Sequence, residues 1–209
     1  YSSVLMDCGV EAGSENIPYL DAPEFNLEKL DAVILSHAHI DHCGFIPFLY
    51  ESGYTGPLYC TPPTRDLMVL LCLDYIDVCQ KEGGKMYYSK KAIEKAVKHS
   101  VVLDYGEVSD ITPDIRLTLQ PSGHLLGSSL VHLHVGEGLH NILYTGDINY
   151  AQTQLFEPAF TDFQRVETLI IESTYGGAEN LFPPRRDSEQ HLIELLDKVM
   201  KDGGKVLIP

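Results

Sequence analysis

The apolar positions of this chain change period several times along its length. Alternating or continuous apolar runs of strand length occur at Ala32–Ser36, Leu58–Cys60, Val101–Leu103, Ile115–Gln120, Leu130–Val135, Ile142–Tyr144 and Thr168–Ile171. Helical spacing separates some of them. Over Pro62–Lys81 the sequence predicts a helix with Thr61 as cap, Pro62 in the first turn, one stripe of Leu67, Leu70, Leu71, Tyr75 and Val78, and Gly83 as its stop. Asp187–Lys201 predicts another, capped by Asp187, with Leu192, Leu195, Leu196 and Val199 as its apolar face and Gly203 behind it. A shorter helix is predicted over Lys90–Lys98, starting at Ser89. Gly53–Pro63 and Gly176–Pro184 read as surface connections, with no internal repeat or low-complexity tract. Strands mixed with helices, then four strands in near succession, predict sheets packed on each other with helices outside.

Composition narrows this picture. With 209 residues and 44% hydrophobic content, the chain can fill one core, so a single domain over residues 1–209 is expected. The longest apolar run, Leu67 to Leu73, is far short of the ~20 residues that span a bilayer, and no signal-like segment opens the chain, so a soluble cytoplasmic protein without a membrane partner is expected. Cys8, Cys43, Cys60, Cys72 and Cys79 are odd in number and show no C-x-x-C pair, which reads as reduced core residues. Fifteen basic against thirty acidic side chains give a formal charge of −15, which repels nucleic acid and counts against a stand-alone nucleic-acid binder. Tyr1 to Asp7 begins in strand-like sequence and Gly204 to Pro209 stops in it. A strand cut at its tip leaves an unpaired edge, so the chain reads as part of a longer one.

The chemistry concentrates at the end of the first internal strand, in Val33-Ile-Leu-Ser-His-Ala-His-Ile-Asp-His-Cys-Gly-Phe45. His37 and His39 alternate by two and can point the same way, whereas Asp41 and His42 are adjacent and must diverge. That divides the cluster between two centres. Imidazole and carboxylate together suit a borderline divalent ion such as zinc, and two-metal sites hold their ions ~3.5–4 Å apart. A solvated polar loop would explain four ligand-type side chains at one strand end poorly. Two later segments end in the same way, each with a glycine turn: Pro121-Ser-Gly-His-Leu-Leu-Gly127 and Tyr144-Thr-Gly-Asp-Ile148. His124 can complete a set with His37 and His39 on a first ion, and Asp147 can bridge to a second held by Asp41 and His42. Taken singly, His124 is as readily a loop histidine and Asp147 a turn former. His132 and His134 read as the polar face of a strand, and His99, His140 and His191 are given no role.

Asp7, the H-A-H-I-D-H run (37–42), His124 and Asp147 resemble the successive metal motifs of the metallo-β-lactamase superfamily. Leu169-Ile-Ile-Glu-Ser-Thr-Tyr-Gly176 resembles the acidic motif that opens the β-CASP insert of its nucleic-acid-processing branch. Tyr19 to Asn26, Cys60 to Met68, Leu103 to Asp110 and Gly136 to Asn141 are similar to archaeal homologues of the cleavage and polyadenylation specificity factor, which are ribonucleases. The resemblance implies an α/β (α+β) chain with a four-layer αββα sandwich, incomplete here, whose β-CASP insert and KH domains lie outside these residues. It implies two zinc ions, one on His37, His39 and His124, the other on Asp41 and His42, with Asp147 bridging. A further histidine for the second ion, and one that pairs with Glu172, would follow Pro209. RNA is then the expected partner, gripped mainly by the absent parts, and a homodimer of the longer parent is allowed.

Two residues have competing readings. Asp7 closes a strand before Cys8-Gly9, an ordinary turn position, while the resemblance makes it an acceptor that orients a ligand histidine. Glu172 can cap the adjoining Ser-Thr turn, or sit near the metals for proton transfer. Ser128 and Ser129 read as strand-start residues. The leading expectation is in-line hydrolysis of an RNA phosphodiester by a metal-activated water, with Asp41 on the metal and Glu172 assisting proton movement. Hydrolysis of a small ester or thioester, or a non-catalytic scaffold role, are the alternatives. With one ligand fewer, the second ion is expected to be the weaker, and these residues alone to cleave RNA poorly.

Overall fold

The computed structural model describes residues 2–10 and 25–208. The chain divides into two compact units, Tyr1–Glu172 and Ser173–Pro209. In the first, β1 (Val4–Met6), β2 (Ala32–Ile34), β3 (Leu58–Cys60) and β4 (Ser100–Val102) form a parallel sheet in that order. The antiparallel succession β5 (Val108–Thr112), β6 (Ile115–Pro121), β7 (Ser129–Val135) and β8 (His140–Tyr144) builds a second sheet, and β9 (Thr168–Ile170) joins it parallel to β8. Parallel neighbours need crossovers. These are α1 (Ile40–Cys43) and α2 (Ile46–Glu51) between β2 and β3, then α3 (Pro62–Glu82) and α4 (Lys90–Lys98) between β3 and β4.

The unbroken apolar run at β2 follows from burial on both faces. Val33 and Leu35 lie in a core shared with Ile46, Leu49, Tyr50, Met68, Cys72 and Ile93 of the helices. Ala32 and Ile34 belong to a second core with Leu117, Leu119, Val131 and Leu133 of the other sheet. Helices, first sheet and second sheet are thus three layers of the sandwich within this unit. The second unit holds α5 (Arg185–Lys201). All five cysteines are free and four are buried, as their surroundings suggested.

Strand directions place the ends of β1, β2, β8 and β9 and the β6–β7 turn at one edge. The two sheets are joined there: the Ser129 backbone N–H and hydroxyl both donate to the Ser36 carbonyl, at 2.8 and 3.0 Å. Beyond β1, Cys8 donates to His42 O at 2.7 Å, Val10 donates to Ile40 O at 3.1 Å, and Phe45 donates to Cys8 O at 2.9 Å. The chain leaving β1 therefore lies directly against the backbone of α1.

Several sequence readings change. The buried face of α3 is Thr64, Met68, Cys72 and Ile76, while Leu70 is 62% exposed and Val78 39%. Apolar residues occur almost all round this helix, so spacing alone selected a face partly turned outward. Thr61 and Gly83 cap it as expected, by accepting from the Thr64 N–H and by a left-handed φ of 70°. Asp187 does not cap α5; it lies in the first turn after Pro184, where its charge still favours the helix N-terminus. β5, α1 and α2 were not anticipated. Residues 204–208 form no strand, and Tyr1, Pro209 and residues 11–24, which include most of the Tyr19 to Asn26 segment, lie outside the described residues.

Gly9 is the tightest point of this arrangement. A Cβ there would stand 1.8 Å from Asp41 O and 2.4 Å from His42 N. Both obstacles are backbone, so nothing flexible can yield. Gly9→Ala is expected to lower stability by more than about 3 kcal/mol, as clashes in a packed backbone do. Urea unfolding is the check, and a midpoint equal to that of the parent protein would contradict the close approach.

Candidate metal centre

Six of the eight sequence-selected residues sit at strand ends or their connections, and Asp41 and His42 lie on α1. β1 delivers Asp7, with a φ of 57°, a left-handed conformation that aspartate tolerates better than most residues. Its N–H donates to Ile34 O at 2.9 Å. Its carboxylate gathers four donors. Oδ1 accepts from the Ser36 N–H at 2.7 Å, and Oδ2 from the Ser36 hydroxyl at 2.6 Å, the Tyr144 hydroxyl at 2.8 Å and His42 Nδ1 at 2.7 Å.

This network fixes imidazole tautomers. Because the Ser36 hydroxyl spends its proton on Asp7, it accepts from His37 Nδ1, 3.0 Å away. His37 and His42 then both carry their protons on Nδ1, and both Nε2 lone pairs face away from Asp7. Gly146 allows the other wall to close: its φ is 50°, and a Cβ would stand 2.5 Å from Ser36 Oγ.

His37 Nε2 faces His39 Nδ1 at 3.2 Å, and His39 Nδ1 faces His124 Nε2 at 3.1 Å. Asp147 Oδ2 is 3.5 Å from His37 Nε2, 3.8 Å from His39 Nδ1 and 3.2 Å from His124 Nε2. All four atoms lie within 4.8 Å of one another. In a tetrahedral shell with bonds of about 2.0–2.1 Å, ligand atoms stand about 3.3 Å apart. The separations observed are close to that spacing, and the cluster can hold a metal ion. The other oxygen of Asp147, Oδ1, turns to His42 Nε2 at 3.3 Å, and Asp41 Oδ2 stands 3.8 Å from that same nitrogen.

Electrostatics agree with this division. Burial, with His42, His124 and His39 adding repulsion, pulls His37 down to about 2, so its lone pair is available at any ordinary pH. His124 is lowered by burial and by His39 against the opposing pull of Asp147. Burial also disfavours charge on His42, but the Asp7 hydrogen bond and the charges of Asp7, Asp147 and Asp41 overcome it and raise the imidazole. That field favours positive charge on the His42 side.

A family model for a metallo-beta-lactamase superfamily domain matches residues 2–173. The chain belongs to the metallo-β-lactamase superfamily. It is 54% identical to a transcription termination factor FttA of Methanothermobacter thermautotrophicus, over all of this chain and 33% of that protein. Identity is 53% to the factor of that name from Methanocaldococcus jannaschii, over 99% of this chain and 33% of the relative. It is 52% to that from Pyrococcus horikoshii, over 100% and 34%. The chain therefore spans about a third of the length of these relatives. Their archaeal origin agrees with the archaeal resemblance in its sequence.

Within this metallo-β-lactamase domain the structure gathers His37, His39, His124 and Asp147 tightly and leaves Asp41, with a side chain 59% exposed, on the rim. A second grouping by distance, Asp7 with His37 and His42, is better explained as orientation than as ligation, since the Asp7 oxygens are already occupied by donors. Glu172 accepts from the Ile148 N–H at 2.9 Å, so it braces the turn just after Asp147, and its charge also acts on His124. His132 and His134 are not a solvated face. His132 is buried with its ring 5.2 Å from that of Phe163, and His134 bonds Asn141 Oδ1 at 2.9 Å and Thr118 Oγ1 at 3.2 Å. Ser129 does start β7, but Ser128 ties its loop, contacting Ser122 Oγ at 2.8 Å and accepting from the Leu125 N–H at 3.0 Å. Ser36 and Tyr144 escaped the sequence reading, because only strand pairing reveals that they face Asp7.

Removing the Asp7 carboxylate strands several buried or half-buried donors at once. In chelator-treated protein, Asp7→Ala is expected to destabilise by about 2–5 kcal/mol and Tyr144→Phe, which removes one bond and its donor together, by about 1 kcal/mol. Urea denaturation compares them, and equal small losses would show that Asp7 does not unite the network.

Proposed function

We propose that the protein is the catalytic part of a zinc-dependent ribonuclease, cleaving RNA phosphodiester bonds during 3′-end formation. His37, His39 and His124 would hold one ion, His42 and Asp41 a second, and Asp147 would serve both. The observation that carries this reading is the divided carboxylate of Asp147, with Oδ2 3.2 Å from His124 Nε2 and Oδ1 3.3 Å from His42 Nε2. Imidazole-rich sets of this kind suit zinc. Such a pair of ions supplies Lewis acidity at a phosphoryl oxygen and an activated water as nucleophile.

The remaining work falls to the protein. Asp7 holds the orientation of His42 directly, and that of His37 through Ser36. Glu172 keeps the turn after Asp147 in place and assists proton movement at the reacting phosphate. RNA as substrate is supported by the relatives, whose name places them in transcription termination, and by the resemblance of the Glu172 segment to the acidic motif of the β-CASP branch. With a formal charge of −15, these residues supply chemistry better than grip, so the parts of the whole protein beyond them are assigned most of the RNA contact.

Metal analysis needs only this chain. The first site has three imidazoles besides Asp147, whereas the second has only His42 and the exposed Asp41, so zinc titration should fill one site tightly and the other weakly. His124→Ala should empty mainly the first, and Asp147→Ala should weaken both. Two equally tight sites would refute the shortage of ligands at the second, and two equivalents retained by Asp147→Ala would refute the bridge. In the whole protein, matched RNA and DNA substrates decide the reaction: cleavage of RNA, lost about a hundredfold or more in Asp147→Ala, is expected, because metal assistance supplies several kcal/mol to such transition states.

A further inference from the structure

The loop that carries His124 has little secondary structure of its own, yet its histidine must hold position to a few tenths of an ångström. Several of its fasteners lie outside it. The Gly127 carbonyl accepts from the hydroxyl of Thr61 at 2.7 Å and from that of Thr64 at 2.9 Å. Both threonines are buried, Thr61 2% and Thr64 0% exposed, at the start of α3 just after β3. At the next residue the hydroxyl of Tyr105, in the β4–β5 connection, donates to the Ser128 carbonyl at 2.8 Å. Ser128 also closes the loop on itself, its N–H donating to Leu125 O at 3.0 Å and its Oγ accepting from the Leu125 N–H at 3.0 Å.

A helix start needs only one capping oxygen, and Thr61 provides it to the Thr64 N–H. The second buried hydroxyl, Thr64 Oγ1, stands 2.9 Å from the capping oxygen of Thr61 but accepts from no N–H of the helix start. A valine would fill the space equally well and avoid burying a polar group. What the hydroxyl does is hold a carbonyl three residues beyond His124. We infer that Thr64, with Thr61 and Tyr105, is a positioning residue for His124 and thereby sets the metal affinity of the first site and not of the second. The inference rests on the proposed ligand set. It adds that affinity at this site is governed from α3 and the β4–β5 connection, neither of which bears a ligand.

The test compares Thr64→Val, Thr64→Ser, Tyr105→Phe and the parent protein by two measurements. The first is amide hydrogen exchange at Leu125 and Ser128 in chelator-treated protein, which involves no metal. Several-fold faster exchange in Thr64→Val and Tyr105→Phe, with Thr64→Ser near the parent, is expected; unchanged exchange in both overturns the inference. The second is zinc affinity by chelator competition. Thr64→Val should weaken the His124-dependent site about tenfold, the lower end for groups that support a ligand, and leave the other site unchanged. Thr64→Ser should recover most of the loss. Equal weakening of both sites would mean a general loss of structure and would overturn the claim. Tyr105 is 43% exposed, so Tyr105→Phe folds even where Thr64→Val does not and carries the test alone. If the parent protein shows no zinc site that His124→Ala removes, the ligand set itself is wrong and the inference falls with it; if that site is present but indifferent to both variants, only the inference falls.

Discussion

The Asp7 carboxylate is the point on which fold and site depend together. It comes from β1, its donors come from the end of β2, from α1 and from the end of β8, and those elements belong to both sheets. A half-buried carboxylate is costly unless hydrogen-bonded, and here four bonds meet it. They can do so only if the two sheets meet at this edge, with Ser129 bonded to Ser36 and Gly9 passing against α1. The tautomers of His37 and His42 are therefore a consequence of sheet packing. Had either sheet shifted by a residue, the carboxylate would lose donors and the histidines would lose the bonds that aim them.

From this edge the rest of the site is laid out by strand direction. β8 runs parallel to β9 and antiparallel to β7, so the His124 loop, the Asp147 turn and Glu172 all emerge on the same side. Bonds between neighbouring connections then lock them: Asn149 N–H to Ser122 O at 2.9 Å joins the Asp147 and His124 loops, and Ile148 N–H to Glu172 Oε1 at 2.9 Å joins the Asp147 turn to the end of β9. Precision at the cluster does not reside in long elements. It comes from loops that share bonds, each too short to hold itself.

The sequence disclosed the donors more readily than their supports, for a physical reason. Imidazole and carboxylate groups crowded at the ends of apolar runs are conspicuous because solvent exposure does not require them there, so His37, His39, His42, His124 and Asp147 were all legible. Strands buried on both faces, such as β2, announced themselves as continuous apolar runs. Ser36, Tyr144, Thr61 and Thr64 are ordinary residues locally, and their roles exist only through partners up to 137 positions away, as between Asp7 and Tyr144. The same dependence hid the buried face of α3, where apolar residues line several sides and only the packed sheet chooses among them. α1 carries no signal in the sequence because four residues, two of them polar, make barely one turn; the helix is there because the backbone of residues 8–10 docks on it.

The acidic character of the chain bears on the cluster as well. Four donor atoms that face one point repel one another unless positive charge lies among them, and His37, pulled down to about 2, cannot supply it as a proton. His42 is raised instead, by Asp7, Asp147 and Asp41 against the cost of burial. The same carboxylates that would concentrate a divalent cation thus also decide where the charge settles. The hydrogen bonds from α3, β1 and β9 oppose spreading of the cluster, and a bound cation would relieve its internal repulsion. Binding energy that a loop without such bonds would spend on ordering itself would then be available to a bound cation.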